Sequence, residues 1–375
     1  MNNPFVTNGY VGPEYFCDRE RETETIVSLL TNENNLALIS PRRLGKTDLL
    51  RHCFRQPEIK EKYYTFIIDI YATGSVRDFV NVFGKAVLDG LRPKGKKVWN
   101  SFLNALSSLR SEITFDINGQ PTWGIGLGSI TNPATTLDEI FTYLNQADKP
   151  CLVAIDEFQQ ITKYLDDPHI EAALRTHIQR CPNAHFVFSG SHRHLMGAMF
   201  TSPARPFYQS VTLINLPPIA LEKYTTFCQN LFSKAGKQLD AEVVTELYHR
   251  FNSITSYMQK AMNILFTMTP QGSRCSISMI ESAVNNILDF SSDTYDTLLY
   301  QMPEKQRIVF MAIAKEEKAK AISSGQFVRK YRLTSASSVT SAVKGLLEKD
   351  FITFDKGIYQ VYDLFFLLWL QKNKL

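Results

Sequence analysis

Short apolar runs alternate with longer amphipathic segments over the first 220 residues of the chain. The runs of strand length are Leu36–Ile39, Tyr64–Ile70, Cys151–Ile155, His185–Phe188 and Val211–Leu216. Amphipathic segments of helix length, such as Val76–Leu91 and Ile170–Gln179, lie between several of them. Strands that alternate with helices predict an α/β fold, in which a mostly parallel sheet carries helices on both faces.

One segment interrupts this alternation. Residues 113–127 read ITFDINGQPTWGIGL, and Asn118-Gly119 separates two short stretches of alternating residues. Asn-Gly is a preferred pair for the two-residue turn that joins antiparallel strands. We therefore predict an inserted β-hairpin at about 113–127.

The strand pattern stops at Pro217-Pro218. Residues 219–296 predict helices, including Ala241–Phe251 and Ser256–Thr267. Met302-Pro303 then opens a last unit. We predict an α/β core over 1–217, a helical domain over 218–300 and a third domain over 301–375.

The third domain has the pattern of a winged helix, a relative of the helix-turn-helix proteins that bind DNA. Three helices are predicted, followed by two strands that Asp355-Lys356 joins into a small wing. The predicted helices are Lys305–Lys315, Ser324–Tyr331 and Ser335–Leu347, and the predicted strands are Phe351–Phe354 and Gly357–Val361.

Composition is that of an ordinary globular protein, with 44% hydrophobic and 21% charged residues among 375. The apolar run Leu364–Leu370 is too short to span a bilayer, so no membrane association is expected. The opening MNNPFVTNGY has no signal-peptide pattern. Six cysteines without any C-x-x-C pair predict reduced thiols and a cytoplasmic protein, and they disfavour a zinc site.

The stretch LISPRRLGKTDLL, residues 38–50, has the pattern of a phosphate-binding loop. Such a loop needs a strand, a tight turn with inward backbone N–H groups, a lysine, a hydroxyl for Mg²⁺ and a following helix. Ser40 occupies the position of the usual first glycine, so a chance Gly-Lys-Thr in a basic turn stays open. The candidate nucleotide contacts in this loop are Ser40, Pro41, Arg42, Arg43, Leu44, Gly45, Lys46, Thr47 and Asp48.

A second candidate motif is the apolar strand that ends in Asp156-Glu157. An aspartate in this position can hold the Mg²⁺ shell together with Thr47, and the adjacent glutamate can orient the attacking water. The combination with the loop predicts a site that binds and hydrolyses ATP. Asn-Lys-x-Asp, which reads guanine, is absent from the sequence, so adenine is preferred.

The strand near 185–188 ends in Ser189-Gly190-Ser191. We predict that the Ser191 hydroxyl lies near the γ-phosphate and takes part in catalysis. The alternative is that Ser191 caps the following helix.

These motifs together resemble the archaeal-type ATPases, relatives of the AAA+ and STAND nucleotide hydrolases. The matching stretches are Phe16-Cys-Asp-Arg19-Glu-Arg-Glu22, SPRRLGKT, IDEFQQI, FSGSHRHLM and SPARPFYQS. The sequences of these stretches are especially similar to those of a group of ATPases from Bacteroidetes-like bacteria. The resemblance implies a P-loop (ASCE/AAA+-like) core with a five-stranded parallel sheet, a helical lid, a winged helix, and ATP and Mg²⁺ as ligands. It also implies that Phe16 and Arg19 contact the nucleotide.

Two stretches depart from the family pattern. The family usually carries Pro-Leu-Tyr-Gly-Arg where this chain has Pro206-Phe-Tyr-Gln-Ser210, so Arg205 is the candidate for the missing arginine. A surface salt bridge is the alternative role for Arg205. The lid's usual Gly-x-Pro appears as Ser253-Ile-Thr255, which puts nucleotide sensing by the lid in doubt.

Three functions remain open from the sequence. The first is an ATP-dependent molecular switch that repositions its C-terminal domains against a protein partner. The second is a DNA-acting ATPase, such as a loader or a regulator of a mobile element or defence system, that binds duplex DNA through 301–375. The third is a scaffold that binds nucleotide without hydrolysing it. A homo-oligomer is compatible with all three.

Charge distribution bears on the second function. Residues 301–375 hold 13 Lys/Arg and 7 Asp/Glu, a net charge of +6, whereas the whole chain has +4. The third predicted helix begins with hydroxyl residues, which can touch phosphates but read bases poorly. DNA contact would therefore have little sequence preference. The candidate contacts are Arg329, Lys330, Arg332, Lys344 and Lys356.

Overall fold

The computed structural model describes residues 3–91, 113–115, 121–123, 130 and 132–375. Two compact units divide these residues. The first unit runs from Asn8 to Ile219, and the second joins Ala220–Leu375 to the described N-terminal residues up to Thr7.

A five-stranded sheet organises the first unit, and its strand order is β2-β5-β6-β1-β7. Every pairing in this sheet is parallel, with Asp69 opposite Asp156 and Ile39 opposite Gly190. The carboxyl ends of the central strands therefore meet at one edge. The strands are β1 Leu36–Ile39, β2 Tyr64–Asp69, β5 Cys151–Asp156, β6 Ala184–Gly190 and β7 Thr212–Asn215.

Both faces of this sheet are buried. Ala37 and Val153 belong to one hydrophobic cluster, whereas Leu38 and Leu152 belong to the other. Successive strand residues point to opposite faces, so near-continuous apolar strands are what a sheet covered on both sides requires. The helices are α1 Glu20–Thr31, α2 Lys46–Phe54, α3 Pro57–Lys60, α4 Val76–Gly90, α5 Pro133–Asn145, α6 Ile170–Gln179 and α7 Arg193–Thr201.

The predicted hairpin at 113–127 is described in part. Strands β3, Ile113–Phe115, and β4, Pro121–Trp123, pair antiparallel with Ile113 opposite Trp123. The Asn118-Gly119 turn lies outside the described residues.

The second unit begins with four helices. They are α8 Leu221–Lys234, α9 Ala241–Arg250, α10 Thr255–Met268 and α11 Ile280–Gln301. The prediction of helices alone for 219–296 was wrong at two places, because β8, Gln238–Leu239, pairs parallel with β9, Arg274–Cys275. Two-residue strands are too short to show a period in sequence.

The helices and strands of the winged helix have nearly the residue ranges that were predicted. A three-stranded sheet in the order β10-β12-β11 accompanies three helices. These elements are α12 Glu304–Glu316, β10 Ala319–Lys320, α13 Gly325–Lys330, α14 Ala336–Glu348, β11 Ile352–Asp355 and β12 Ile358–Val361. A further helix, α15 Leu364–Asn373, was not predicted.

Helix α15 joins the winged helix to the preceding helices. Phe366 stacks on Tyr295 of α11 with 4.6 Å between ring centroids, and the Trp369 indole donates to Ser292 Oγ at 3.0 Å. The predicted boundary at 300/301 falls at the last residue of α11. The contacts of α15 with α11 cross this boundary, so α11 and α15 share one core. In the described part of the chain, no helix has the length and apolar character needed to cross a membrane.

Candidate functional site

The loop between β1 and α2 turns sharply at two positions. Gly45 has φ +86° and Arg43 has φ +67°, both in the left-handed region. Ser40 does not have a left-handed backbone. A serine therefore fits where related loops have glycine, because the conformation that requires glycine lies at Gly45.

Lys46 folds back over this loop. Its Nζ donates to the carbonyl oxygens of Ser40 and Pro41, each at 3.2 Å. Burial lowers the pKa of Lys46, and the nearby carboxylates of Glu157 and Asp156 oppose that shift. The ammonium thus lies next to the loop and the carboxyl ends of the strands, where a phosphate group would stabilise its charge.

Thr47 and Asp156 are brought together by α2 and β5. The Thr47 hydroxyl donates to Asp156 Oδ2 at 2.5 Å, and the Ser189 hydroxyl donates to Asp156 Oδ1 at 2.6 Å. Ser189 is fully buried at the end of β6 and was not predicted. A hydroxyl beside a carboxylate provides the oxygen ligands that Mg²⁺ prefers.

Glu157 follows with a left-handed backbone, φ +55°. Its Oε2 accepts from Ser191 Oγ at 2.7 Å and from Gln159 Nε2 at 2.5 Å. Arg42 Nε donates to the same Ser191 oxygen at 2.9 Å and lies 4.0 Å from Glu157 Oε1. Arg42 of the loop, Gln159 just after β5 and Ser191 just after β6 therefore form one continuous network with the candidate catalytic carboxylate.

Two further members of this edge, besides Ser189, were missed in the sequence. Gln159 is buried at 3% exposure, and only its tertiary position shows that it holds Glu157. Asp69 ends β2 directly opposite Asp156, and burial together with the carboxylates of Asp156 and Glu157 raises its pKa. The signal for Asp69 was available, since it is a polar residue at the carboxyl end of a predicted strand.

Phe16 and Arg19 make contacts within the protein. Arg19 is 3% exposed, and its guanidinium donates to Glu22 Oε1 and to the Pro217 carbonyl, both at 2.7 Å. Phe16 stacks on His52 of α2 with 4.4 Å between ring centroids. The roles of Phe16 and Arg19 as nucleotide contacts stay predictions.

Arg205 also has an internal partner. Its guanidinium forms an ion pair with Glu171 of α6. This is the salt-bridge role that the sequence left open, although Glu171 is mostly buried. Two of the predicted nucleotide contacts in the loop segment likewise have partners within the protein. The Leu44 side chain packs in the core, and Asp48 pairs with Arg51 at 3.0 Å.

The site has no protein cage for a metal. Within the described ranges, no group of three or more His, Cys, Asp or Glu has the arrangement of a metal site. Magnesium in nucleotide sites is usually held by one or two protein oxygens together with phosphates. Thr47 and Asp156 match that arrangement.

Comparison with known proteins supports the same architecture. A family model described as "Probable winged helix domain" matches residues 293–372. The "Uncharacterized ATP-binding protein MJ1659" of Methanocaldococcus jannaschii is 27% identical over 156 residues, which is 39% of this chain and 43% of that protein. The matched part is thus less than half the length of that relative.

Solved structures align over almost the entire chain. The Walker-type ATPase PABY2304 of Pyrococcus abyssi superimposes with a TM-score of 0.65 at 16% identity, covering 98% of this chain and 99% of that one. The Aeropyrum pernix ORC2 protein in its ADPNP–ADP complexes gives 0.59 at 13% identity, with 99% and 97% covered. The Aeropyrum pernix ORC1 protein in complex with DNA gives 0.55 at 12% identity, with 99% and 97% covered.

These comparisons confirm the resemblance to archaeal-type P-loop ATPases and the predicted fold class. The chain has the fold of those ATPases, with a five-stranded parallel sheet, a helical region and a C-terminal winged helix.

Proposed function

We propose that this protein binds ATP with Mg²⁺ and hydrolyses it, acting as a molecular switch. The observation that carries the proposal is the hydrogen bond between Thr47 and Asp156. Lys46 and Glu157 are the chain neighbours of these two residues, and the Glu157 charge acts on the Lys46 ammonium. Two segments that are 109 positions apart in sequence thereby assemble the phosphate side and the metal side of one site.

The residues present fit the two ligands. The N-terminus of α2 carries backbone N–H groups without intrahelical partners, and its dipole favours an anion. Lys46 would meet the β- and γ-phosphates, and Thr47 and Asp156 would hold Mg²⁺, which neutralises developing charge on the phosphates when bound. The loop around the phosphates would be formed by Ser40, Pro41, Arg42, Arg43 and Gly45.

Glu157 is the proposed general base. In the described structure its carboxylate is bonded to Ser191 and Gln159, while Arg42 lies nearby. A γ-phosphate would compete for Arg42 and for the Ser191 hydroxyl, because an arginine pairs strongly with phosphate oxygens. Nucleotide state would thus change the hydrogen bonding of the catalytic carboxylate.

Two variants test this function together. Lys46→Ala should abolish ATP binding by calorimetry while the fold is kept, and the exposed Lys60→Ala is its matched control. Glu157→Gln should bind ATP and hydrolyse it at least ~100-fold more slowly than the parent protein, because general-base catalysis usually contributes at least ~100-fold to the rate. Equal ATP affinity in Lys46→Ala would contradict the phosphate-loop assignment. Absence of turnover in the parent protein would favour the scaffold function instead.

The partner of the switch is proposed to be a protein, in a cytoplasmic setting consistent with six buried cysteines that form no disulfide bond. A DNA-acting ATPase is the second candidate, and the winged helix favours it. Arg329, Arg332 and Lys356 are exposed, and no ion pair involves them within the described part of the chain. The DNA complex of the Aeropyrum pernix ORC1 protein, a structural neighbour, supports keeping this candidate.

Arg205 remains a proposed charge-stabilising residue, acting on the nucleotide of its own chain or of a second copy. That role requires its release from Glu171, because the guanidinium is engaged there. A homo-oligomer would be needed only for the second form of this proposal.

A further inference from the structure

An open groove of about 540 Å³ lies on the second unit, between the end of α11 and the length of α12. Its apolar lining includes Leu299, Tyr300, Ile308 and Met311. Tyr300 is 86% exposed and Ile308 is 45% exposed, although both are large apolar side chains. Solvent-exposed aromatic and aliphatic side chains grouped in a concave surface are typical of interaction sites.

Buried aromatic side chains hold together the two helices that form the groove. The next residues of α12, Val309 and Phe310, are buried, and Phe310 contacts Phe366 at 5.3 Å between ring centroids. Phe366 in turn stacks on Tyr295 of α11. Because both helices are fixed by the same aromatic core, a ligand would meet a preformed surface and lose little free energy in ordering it.

Cations flank the apolar lining. Arg307 and Lys315 lie in the lining, and among the described residues neither forms an ion pair. The carboxylate in the lining, Asp296, is already paired with Lys374 at 2.9 Å. The lining therefore keeps two positive charges without counter-ions.

The spacing of these cations defines a pattern. Arg307, Met311 and Lys315 follow one another at intervals of four, so they share one side of α12. Eight residues of helix span about 12 Å, which separates the two charges by roughly two turns, with methionine between them. A second helix with carboxylates seven or eight residues apart and large apolar side chains between them would match both features.

We propose that this groove is the docking site for an acidic amphipathic helix of a partner protein. Helix-in-groove recognition uses apolar anchors spaced along one helix face, and charge complementarity adds register and specificity. Duplex DNA fits less well, because it carries one negative charge per about 1.7 Å of axis. Such a density would set phosphates over the apolar lining and beside Asp296.

The docking helix would belong to the partner of the proposed switch and so rests on that proposed function, but the groove itself contains no residue of the nucleotide site. Loss of ATP binding in Lys46→Ala would therefore leave the groove intact, and loss of the groove would leave ATP binding intact. The two proposals can fail separately.

The test uses the full chain. A display library of random 16-residue peptides is selected on the parent protein and counter-selected on the Arg307→Glu/Lys315→Glu double variant. Selected peptides should carry acidic residues seven or eight positions apart on either side of Leu, Phe or Trp. A labelled selected peptide should bind the double variant at least ~10-fold more weakly by fluorescence anisotropy, because like charges would then face each other.

Two further variants complete the design. Tyr300→Ser should also weaken the peptide about 10-fold, since interface aromatic residues often act as anchors. Lys349→Glu, at an exposed lysine that follows α14 and lies outside the lining, is the matched control and should leave peptide binding unchanged. Thermal melts by circular dichroism verify that each variant is folded, and parent-like ATP binding verifies the nucleotide site.

Three results would overturn the proposal. One is a selection with no enrichment over the counter-selected pool. Another is a set of peptides without acidic pairs, or with affinities that the double charge reversal leaves unchanged. The third is a labelled duplex that competes with the peptides at low salt and loses its binding in the double variant, which would assign the groove to nucleic acid.

Discussion

The side-chain amide of Gln159 donates a hydrogen bond to the carboxylate of Glu157 from a buried position. A carboxylate that must orient water needs a defined rotamer, and a supporting hydrogen bond fixes it. Gln159 is therefore a positioning residue for the proposed general base.

Gln159→Leu should lower kcat about 10-fold, the smaller effect seen when a supporting group is removed. The ATP dissociation constant and the thermal midpoint should stay near the parent values. Gln160→Leu is the matched control, because Gln160 donates instead to the Thr73 carbonyl at 2.8 Å. A fall in ATP affinity equal to the fall in kcat would show that Gln159 acts on binding instead.

The ion pair between Arg205 and Glu171 gives a prediction with a pH sign. Burial raises the pKa of Glu171, and Arg205 opposes this shift. A carboxyl whose folded pKa is above its unfolded value is most favourable to folding at low pH. That contribution is lost as pH rises through the folded pKa.

Arg205→Ala removes the opposing cation, so the pKa of Glu171 should rise further. The variant should lose about 1–3 kcal/mol of stability near pH 8, the cost of a buried polar group that is left without its hydrogen-bond partner. The loss should be smaller near pH 5, where the carboxyl is more often protonated. Urea unfolding at both pH values measures this. An equal loss at pH 5 and pH 8 would contradict the electrostatic explanation.

At the scale of elements, α13, α14 and the wing carry the candidate DNA contacts. Their cations are not equivalent. Lys330 pairs with Glu316 at 2.5 Å and Lys344 lies 4.0 Å from Glu348, whereas Arg329, Arg332 and Lys356 have no ion pair in the described part of the chain. The unpaired three can neutralise phosphates without breaking an existing contact.

If duplex DNA binds, affinity should fall steeply with salt, because phosphate neutralisation releases counterions. Each of Arg329→Ala, Arg332→Ala and Lys356→Ala should reduce the slope of log K against log salt by about 1. Lys330→Ala is the control and should change the slope less. Fluorescence anisotropy of labelled duplexes of different sequence measures this, with and without ATP. Absence of binding at low salt would remove DNA as a partner.

At the scale of the whole molecule, the cysteines report on packing. All six are buried, and none of them forms a disulfide bond. Burial raises the pKa of Cys53 and of Cys151 to about 12 and that of Cys181 to about 11. Thiols react as thiolates, so these groups should be inert in the folded protein.

A thiol reagent such as DTNB should therefore react slowly with the native protein at pH 8 and should modify six thiols after denaturation in guanidinium. Addition of ATP and Mg²⁺ should leave the native rate low. A thiol that reacts in the native protein as fast as a small free thiol would show that one of the buried clusters opens in solution.

Strands and helices whose signal is local were predicted correctly from the sequence. Apolar runs with turn residues at their ends predicted all five strands of the main sheet to within two residues at each end. The phosphate loop and Asp156-Glu157 were equally visible, because parallel strands place their carboxyl ends at one edge of a sheet. Local chemistry also predicted the three helices and two strands of the wing region.

The partner of each polar side chain could not be predicted in this way, because it depends on how the elements pack in the folded protein. The hydrogen bond from Ser191 to Glu157 and the ion pair of Arg205 with Glu171 join side chains whose directions depend on packing across separate elements. The β8–β9 pairing and the contact of α15 with α11 arise in the same way. Such contacts give no periodic signal in the sequence, because the partners lie far apart along the chain. The free energy of these contacts comes from packing in the folded core.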